Sequence, residues 1–323
     1  MTTALVCGLG LVGRRVARQL VDGGCFERVF VTARKARQAE SVAEVLGDVA
    51  AAVAWPITAT TVASVDVVAC AVGGAHDTRI AELAISQGVS VASCSDSPEA
   101  ISQLRALDAS AIRAGVAVIG GCGFAPGFTD VLAAHAAELF DNVHDIKIAR
   151  AGAAGPESID AVREQRRATS ELYRDGVWNH TSRLEEQVWF PEPIISADCQ
   201  LVRGGGEYLV QHFGPEVSVS SCWAEAKASR WPHRNDDGLG AVRVEVWGTR
   251  DGCRDVVVYG AIDRVSSATG AVLGRVTELL ADRENPIAPG VRGVAGTFVA
   301  SDLIRSLGER GLHAAVFEGA PIS

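Results

Sequence analysis

The sequence predicts an α/β protein: a doubly wound parallel sheet of Rossmann type at the amino end, then an α+β domain built on a mostly antiparallel sheet. Three observations carry this. Short β-branched runs alternate with helical periods through the first 130 residues, as parallel strands buried on both faces require. An apolar run, Ala4-Leu5-Val6-Cys7, ends in Gly8-Leu9-Gly10-Leu11-Val12-Gly13 and passes straight into a helical segment. Five of the six tryptophans and longer strand-like alternations fall between residues 145 and 260, which marks a second layer of different construction.

In chain order, strands are predicted over 4–7, 28–32, 50–54, 65–72, 89–93 and 116–119, with helices over 12–22, 36–46, 57–62, 76–87 and 97–114 between them. Another helix is predicted over 129–139, after Pro126-Gly127. The second part shows strands over 217–222, 242–247 and 255–262, with turns at Gly204-Gly205-Gly206 and 234–238. Amphipathic helices over 268–281 and 300–310 are joined by a loop holding Pro286, Pro289, Gly290 and Gly293. The domains therefore read 1–130, 131–265 and 266–323, the last expected to return to the first.

A length of 323 residues suits two domains. Hydrophobic residues at 48% and charged residues at 21% describe a globular chain with a real core. A net charge of −9 argues against a nucleic-acid or anionic-membrane partner, since both need a basic face. No apolar run reaches the ~18 residues of a membrane span, and the chain opens directly into a strand, which leaves no place for a signal peptide. The eight cysteines are scattered with no Cys-x-x-Cys pair, so neither a zinc site nor a disulfide framework is expected. They read as small hydrophobes in a reducing cytoplasm.

The glycine run carries the chemistry. Between a strand and a helix, Gly-x-Gly-x-x-Gly is the dinucleotide-binding turn. Gly8 allows the tight turn, Gly10 lets a pyrophosphate approach the backbone, and Gly13 brings helix and sheet together. The first-turn N–H groups then face the anion. Folds selective for NAD place an Asp or Glu about 20 residues further on. Here that region reads Thr32-Ala33-Arg34-Lys35, then Arg37, with no carboxylate. A hydroxyl and three cations suit a 2′-phosphate, which favours NADP(H) over NAD(H); a solvated first helical turn would account for Lys35 and Arg37 as well. Ala71, Val72 and Gly73 at the end of the fourth strand, and Ser93 at the end of the fifth, complete the cofactor-facing rim.

A later segment extends this. Gly120-Gly121-Cys122-Gly123-Phe124-Ala125-Pro126-Gly127-Phe128-Thr129-Asp130, leading into an apolar helix, resembles the saccharopine dehydrogenase (reductase-type) family, which includes lysine 6-dehydrogenase-like enzymes. Residues 175–178 and 188–193 are similar to the opening of that family's second domain, and 290–293 with 303–311 to its closing helix. The resemblance implies a Rossmann domain plus an α+β domain. The implied reaction is reversible hydride transfer between a nicotinamide and a carbon bearing nitrogen, with a small amine or amino acid as substrate. Gly123, Phe124, Pro126 and Gly127 would face the nicotinamide, with Thr129 and Asp130 beginning the next helix and lining the substrate side. The family often carries an acid before its Pro-Gly; this chain has Ala125, so the resemblance implies the reaction class and not saccharopine itself.

Hydride transfer relies mainly on positioning, so no catalytic signature is required. His180, near neutral in its ordinary pKa, is a candidate for proton exchange, and Lys227 for binding a substrate carboxylate; both also read as exposed residues. Trp178 and Glu216 are candidate substrate contacts, Glu216 as a receiver of an ammonium or as a plain loop charge. Arg163, Arg166 and Arg167 share a helical face that is either a collector of acidic substrate or a solvated stripe. His233 reads as surface loop. Cys122 lacks a neighbouring base and is not expected to be a nucleophile. A homodimer through the second domain's sheet is expected. Two rival readings stay open: a dehydrogenase of a carbonyl or C–OH group, and an NADPH sensor without turnover.

Overall fold

The computed structural model describes residues 2–153, 159, 163, 165, 169–181, 184–224 and 238–317. The chain divides into two compact units. One joins Met1–Gly123 with Ser266–Thr297, and the other joins Phe124–Val265 with Phe298–Ser323. Of the stretch 266–323, then, residues 266–297 lie in the first unit and 298–323 in the second.

The first unit is a doubly wound sheet. Its elements begin β1 (Thr3–Cys7), α1 (Leu11–Asp22), β2 (Arg28–Thr32), α2 (Ala36–Leu46), β3 (Ala50–Ala52), α3 (Ala59–Ala63), β4 (Val67–Cys70) and α4 (Ala75–Ser86). They continue with β5 (Ser90–Ser93), α5 (Pro98–Arg105), α6 (Asp108–Ala114) and β6 (Ala117–Ile119). The parallel strands take the order β15-β6-β5-β4-β1-β2-β3, where β15 is Gly290–Arg292. The order reverses beside β1, which places the ligand crevice at its carboxyl end. All four residues of β4 are fully buried, as a strand covered on both faces must be.

Helix α1 buries Gly13, Val16, Ala17 and Leu20, the three- and four-residue spacing of one helical face. A later helix, α9 (Val265–Ala281), packs on its other side. There Arg15 Nε donates to Ser266 Oγ at 2.8 Å, and Gln19 Nε2 to the Ala271 carbonyl at 3.3 Å. Glycines permit this approach: a Cβ on Gly270 would stand 2.9 Å from Arg15 Cβ.

Two expectations are corrected here. The helix predicted over 97–114 is two helices, α5 and α6, parted at Ala106–Leu107. The second starts at Asp108, whose Oδ1 accepts the Val291 N–H at 2.7 Å. That same bond holds β15, which was predicted as loop and instead extends the sheet beside β6. A three-residue strand next to prolines offers too short a run for its period to show.

The second unit begins with α7 (Phe128–Ala137) and β7 (Asn142–Ala151). Next come β8 (Ser170–Arg174), β9 (Val177–Thr181), β10 (Glu185–Trp189), β11 (Ser196–Leu201), α8 (Glu207–Phe213) and β12 (Ser218–Ala224). The long hairpin β13 (Leu239–Arg250) and β14 (Cys253–Arg264) follows, then α10 (Ala300–Gly308) and β16 (Ala315–Val316). The strand order is β10-β11-β12-β7-β13-β14-β16, with the β8–β9 hairpin attached to β12. The pairings are antiparallel except β12 with β7. Alternation along β13 is strict: Val242, Val244 and Val246 are buried, while Arg243, Glu245 and Trp247 point to the other face. Among the described residues, no helix is long and apolar enough to cross a membrane.

Substituting Gly270 with valine should lower stability by about 1–3 kcal/mol through overpacking against Arg15 Cβ. Gly274→Ala should cost less, because the group 2.8 Å away is the adjustable end of Gln19. Urea denaturation checks both, as a lower midpoint at unchanged slope.

Candidate active site

The glycine turn of the first unit packs the start of α1 closely against the strand ends. Gly8 sits at φ 90°, and its N–H donates to the Thr32 carbonyl at 3.0 Å. A Cβ there would stand 2.5 Å from the Ala71 carbonyl oxygen, and one on Gly13 would overlap the Gly8 carbonyl. Helix α1 therefore starts hard against β1 and β4. A Cβ on Gly10 would meet no atom within 4 Å, so the space beside this N-cap is open. No side chain caps α1 and no acid lies in its first turn, so its first N–H groups are directed at an incoming anion. Leu9, Leu11 and Val12 complete the turn. These residues fit a dinucleotide's phosphates.

Sequence reasoning missed what braces this turn. The Leu9 carbonyl accepts Arg14 Nε at 3.0 Å and Gln38 Nε2 at 2.6 Å, tying the loop to both α1 and α2. No periodicity marks either residue. At the end of β2, Arg34, Lys35 and Arg37 are exposed, whereas Thr32 and Ala33 are buried. The Thr32 hydroxyl donates to the Ala54 carbonyl at 3.3 Å.

On the neighbouring rim, Ala71, Val72 and Gly73 are half-buried. Ser93 is fully buried, and its hydroxyl donates to Asp77 Oδ2 at 2.6 Å. Ser95 donates to the same oxygen at 3.1 Å, and the Gly73 N–H to Asp77 Oδ1 at 2.9 Å. Burial pushes the Asp77 carboxyl up, against the pull of its bonds from Ser93, Gly73 and Ser95. Asp77 thus fixes the ends of β4 and β5 to one another. Sequence reasoning missed it as well, since its only trace is an acid in the first turn of a helix.

The first unit's long amino-terminal segment ends at Gly123, and Phe124 opens the second unit. The turn from Ala125 through the cis Ala125–Pro126 bond to Gly127 brings together the residues predicted around it. Gly127, at φ 124°, is the N-cap of α7, and Phe124 stacks on Phe128 with ring centroids 6.3 Å apart. Behind the turn, the buried Arg150 of β7 donates to the Ala125 carbonyl at 2.9 Å and to Gln165 Oε1 at 2.6 Å. Thr129 is fully buried, and its hydroxyl donates to Asp130 Oδ1 at 3.1 Å. Asp130 is 1% exposed, and its Oδ2 has no hydrogen-bond partner among the described residues. Burial, reinforced by the Glu207 charge, pushes this carboxyl up to about 7 despite the Thr129 and Gly127 bonds.

The other candidates have surroundings of their own, and Trp178 lies beside Gly206, the N-cap of α8. His180 lies exposed on β9, its Nδ1 3.1 Å from Glu171 Oε1, and Glu171 also pairs with Arg203 at 3.0 Å. Trp178 packs edge-on against Tyr173 at 5.3 Å. Glu216 is exposed just before β12. The Cys122 thiol is buried and donates to the Ile119 carbonyl at 3.3 Å. Arg163 is exposed; Lys227, Arg166, Arg167 and His233 lie outside the described residues.

No family model matches this chain, and no curated protein sequence matches it. Solved structures do. Saccharopine dehydrogenase (L-Glu forming) from Saccharomyces cerevisiae superposes with a TM-score of 0.68 at 13% identity, covering 98% of this chain and 100% of that one. The amine dehydrogenase from Mycobacterium smegmatis gives 0.55 at 12%, covering 93% and 95%. GenD2 of gentamicin A biosynthesis, solved in complex with NAD, gives 0.50 at 15%, covering 98% and 97%. At these identities the likeness carries the fold: a Rossmann unit with a second mixed-sheet unit, shared with dehydrogenases along nearly the whole chain.

The Asp130 carboxyl predicts a pH dependence. Its folded pKa of about 7 lies above the ~3.9 of an unfolded aspartate. Its contribution to stability is therefore complete below about pH 4 and is lost as pH rises through about 7. Urea denaturation should show the wild type losing on the order of a few kcal/mol across that window. In Asp130→Asn this loss should be absent.

Proposed function

We propose that this chain is an NADP(H)-dependent oxidoreductase that reduces imines or oxidises amines at a C–N bond of an amino acid, polyamine or related amine. The observation that carries the cofactor half is the uncapped α1 N-terminus behind an open Gly10, set beside a β2 end with three exposed cations and no carboxylate. Gly8, Gly10 and Gly13 would seat the pyrophosphate, and Arg34, Lys35 and Arg37 the 2′-phosphate. The C–N half is supported by the Pro126-Gly127 turn with its buried carboxyl. It is supported also by a saccharopine dehydrogenase and an amine dehydrogenase among the proteins that share the fold. The bound nicotinamide supplies or takes the hydride, while the chain's own groups orient the carbon and manage one proton. The reaction belongs to a reducing cytoplasm, in keeping with eight free thiols.

The partner is a small molecule, met by a homodimer. The outer face of the second sheet carries Lys147 and Arg243 beside Glu186 and Glu245 around a depression of about 120 Å³. Trp189 and Trp247 stand on the same strands, 57% and 41% exposed. A two-fold contact sets a patch against itself, and a patch holding both signs and exposed tryptophans complements its own copy. Light scattering should find a dimer that Trp247→Glu dissociates; a monomeric wild type would discard the assignment.

NADPH oxidation scanned over carbonyl–amine pairs tests the reaction. Turnover only without amine would move the assignment to carbonyl reduction, and binding without any turnover would make the chain a sensor. Arg34→Asp should weaken NADPH binding at least ten-fold, about 1.4 kcal/mol, and improve NADH relative to it. Unchanged NADPH affinity would overturn the 2′-phosphate assignment.

A further inference from the structure

Asp130 is the feature of the second unit that packing does not explain. Its backbone N–H donates to the Gly127 carbonyl at 3.0 Å, and its Oδ1 accepts the Thr129 hydroxyl. The other carboxyl oxygen is buried without a partner among the described residues. A buried acceptor left open is costly, and more so when charged, so an aliphatic or amide side chain would serve the fold better here. The surrounding charges do not neutralise it. Glu207 of α8 has the same sign, and Arg150 of β7 is directed at the Ala125 carbonyl and Gln165. On the other elements packed against α7, Arg243 pairs with Glu245 on β13, Tyr259 of β14 stacks on His135, and Asp302 pairs with Arg305 on α10. An acid held half-ionised near neutrality, with one oxygen open, is complementary to a ligand that brings a proton with it. An amine or imine nitrogen is such a ligand.

We propose that Asp130 receives the substrate nitrogen on its open carboxyl oxygen and exchanges a proton with it. This rests on the C–N reading above and adds the proton-handling residue that no sequence motif supplies. In the reductive direction the imine nitrogen takes the carboxyl proton, an O–H bond breaking as an N–H bond forms. A bound reduced nicotinamide would supply hydride to the carbon, the C=N π pair settling on nitrogen. The carboxylate regains its proton from water. In the oxidative direction an ammonium first passes its proton to the carboxylate, which frees the nitrogen pair that drives hydride departure. Glu207, of like charge, keeps the Asp130 proton exchangeable and adds attraction for a cationic substrate.

Two measurements test this, and the first needs neither cofactor nor turnover. L-lysine, L-alanine and putrescine are titrated into the protein at pH 7 by calorimetry, in phosphate and in MOPS. An ammonium on Asp130 drives off the proton that burial leaves on the carboxyl, so protons are released as amine binds; Asp130→Asn should release none. Amine binding with no proton exchanged in the wild type, or none of the three bound, would overturn the proposal. The second compares imine reduction. Asp130→Asn should lose about 10²–10⁴-fold in kcat with NADPH affinity unchanged. An N-alkylated iminium, which needs no proton, should be reduced at near wild-type rate, a rescue that a misfolded variant would not show. A wild type that turns over imines alongside an equally active Asp130→Asn sinks this assignment alone. A wild type that turns over no imine or amine sinks the proposed function with it.

Discussion

The approach of α1 to the end of β1 is the contact on which the first unit's chemistry depends. With hydrogen at the Gly13 α-carbon, the helix can begin against the Gly8 carbonyl; with any side chain it could not. That closeness aims the helix dipole into the crevice where the strand order reverses. The remaining features of the turn serve the same constraint. Gly8 lies close against the Ala71 carbonyl, and the Leu9 carbonyl is held from both sides by Arg14 and Gln38. The outer side of the helix is backed by the small residues of α9. An anion site made of backbone N–H groups gains its strength from being rigid before the ligand arrives, and this one is braced on three sides.

The two buried carboxyls show how burial and bonding divide the roles of one residue type. Asp77 receives donors on both oxygens, and its environment is a finished network that ties two rims together. Asp130 receives the Thr129 hydroxyl on one oxygen and keeps the other open. Low polarity acts on both, but only the second leaves a carboxyl oxygen without a hydrogen bond among the described residues. Comparable burial therefore accompanies a completed network in one case and, in the other, an oxygen without a partner among the described residues.

Much of this was legible in the amino-acid order. The strands and helices of the first unit follow from apolar runs separated by helical periods, and the glycine spacing picks out the tight turn between β1 and α1. What stayed hidden is what period and motif do not encode. Strand β15 has three residues and becomes a strand by pairing with β6. The break between α5 and α6 depends on Asp108 reaching a residue 183 positions away. Gln38 and Asp77 act through single side-chain bonds whose partners are set by the tertiary fold. Asp130 could be named from the turn it follows; its open oxygen could not, because that depends on what the rest of the second unit leaves unfilled.

The distribution of late residues between the two units governs how the chain can be assembled. Strand β15 and helix α9 belong to the first unit, yet the long segment 124–265 separates them from the rest of it. During synthesis from the amino end, the nascent first unit waits with one sheet edge unpaired beside β6 and the outer side of α1 uncovered until about residue 297 has emerged. Excising that half as an isolated fragment would reproduce the same unfinished surface. A permuted chain that joins 266–297 directly to the amino-terminal portion is the route by which it would become self-sufficient.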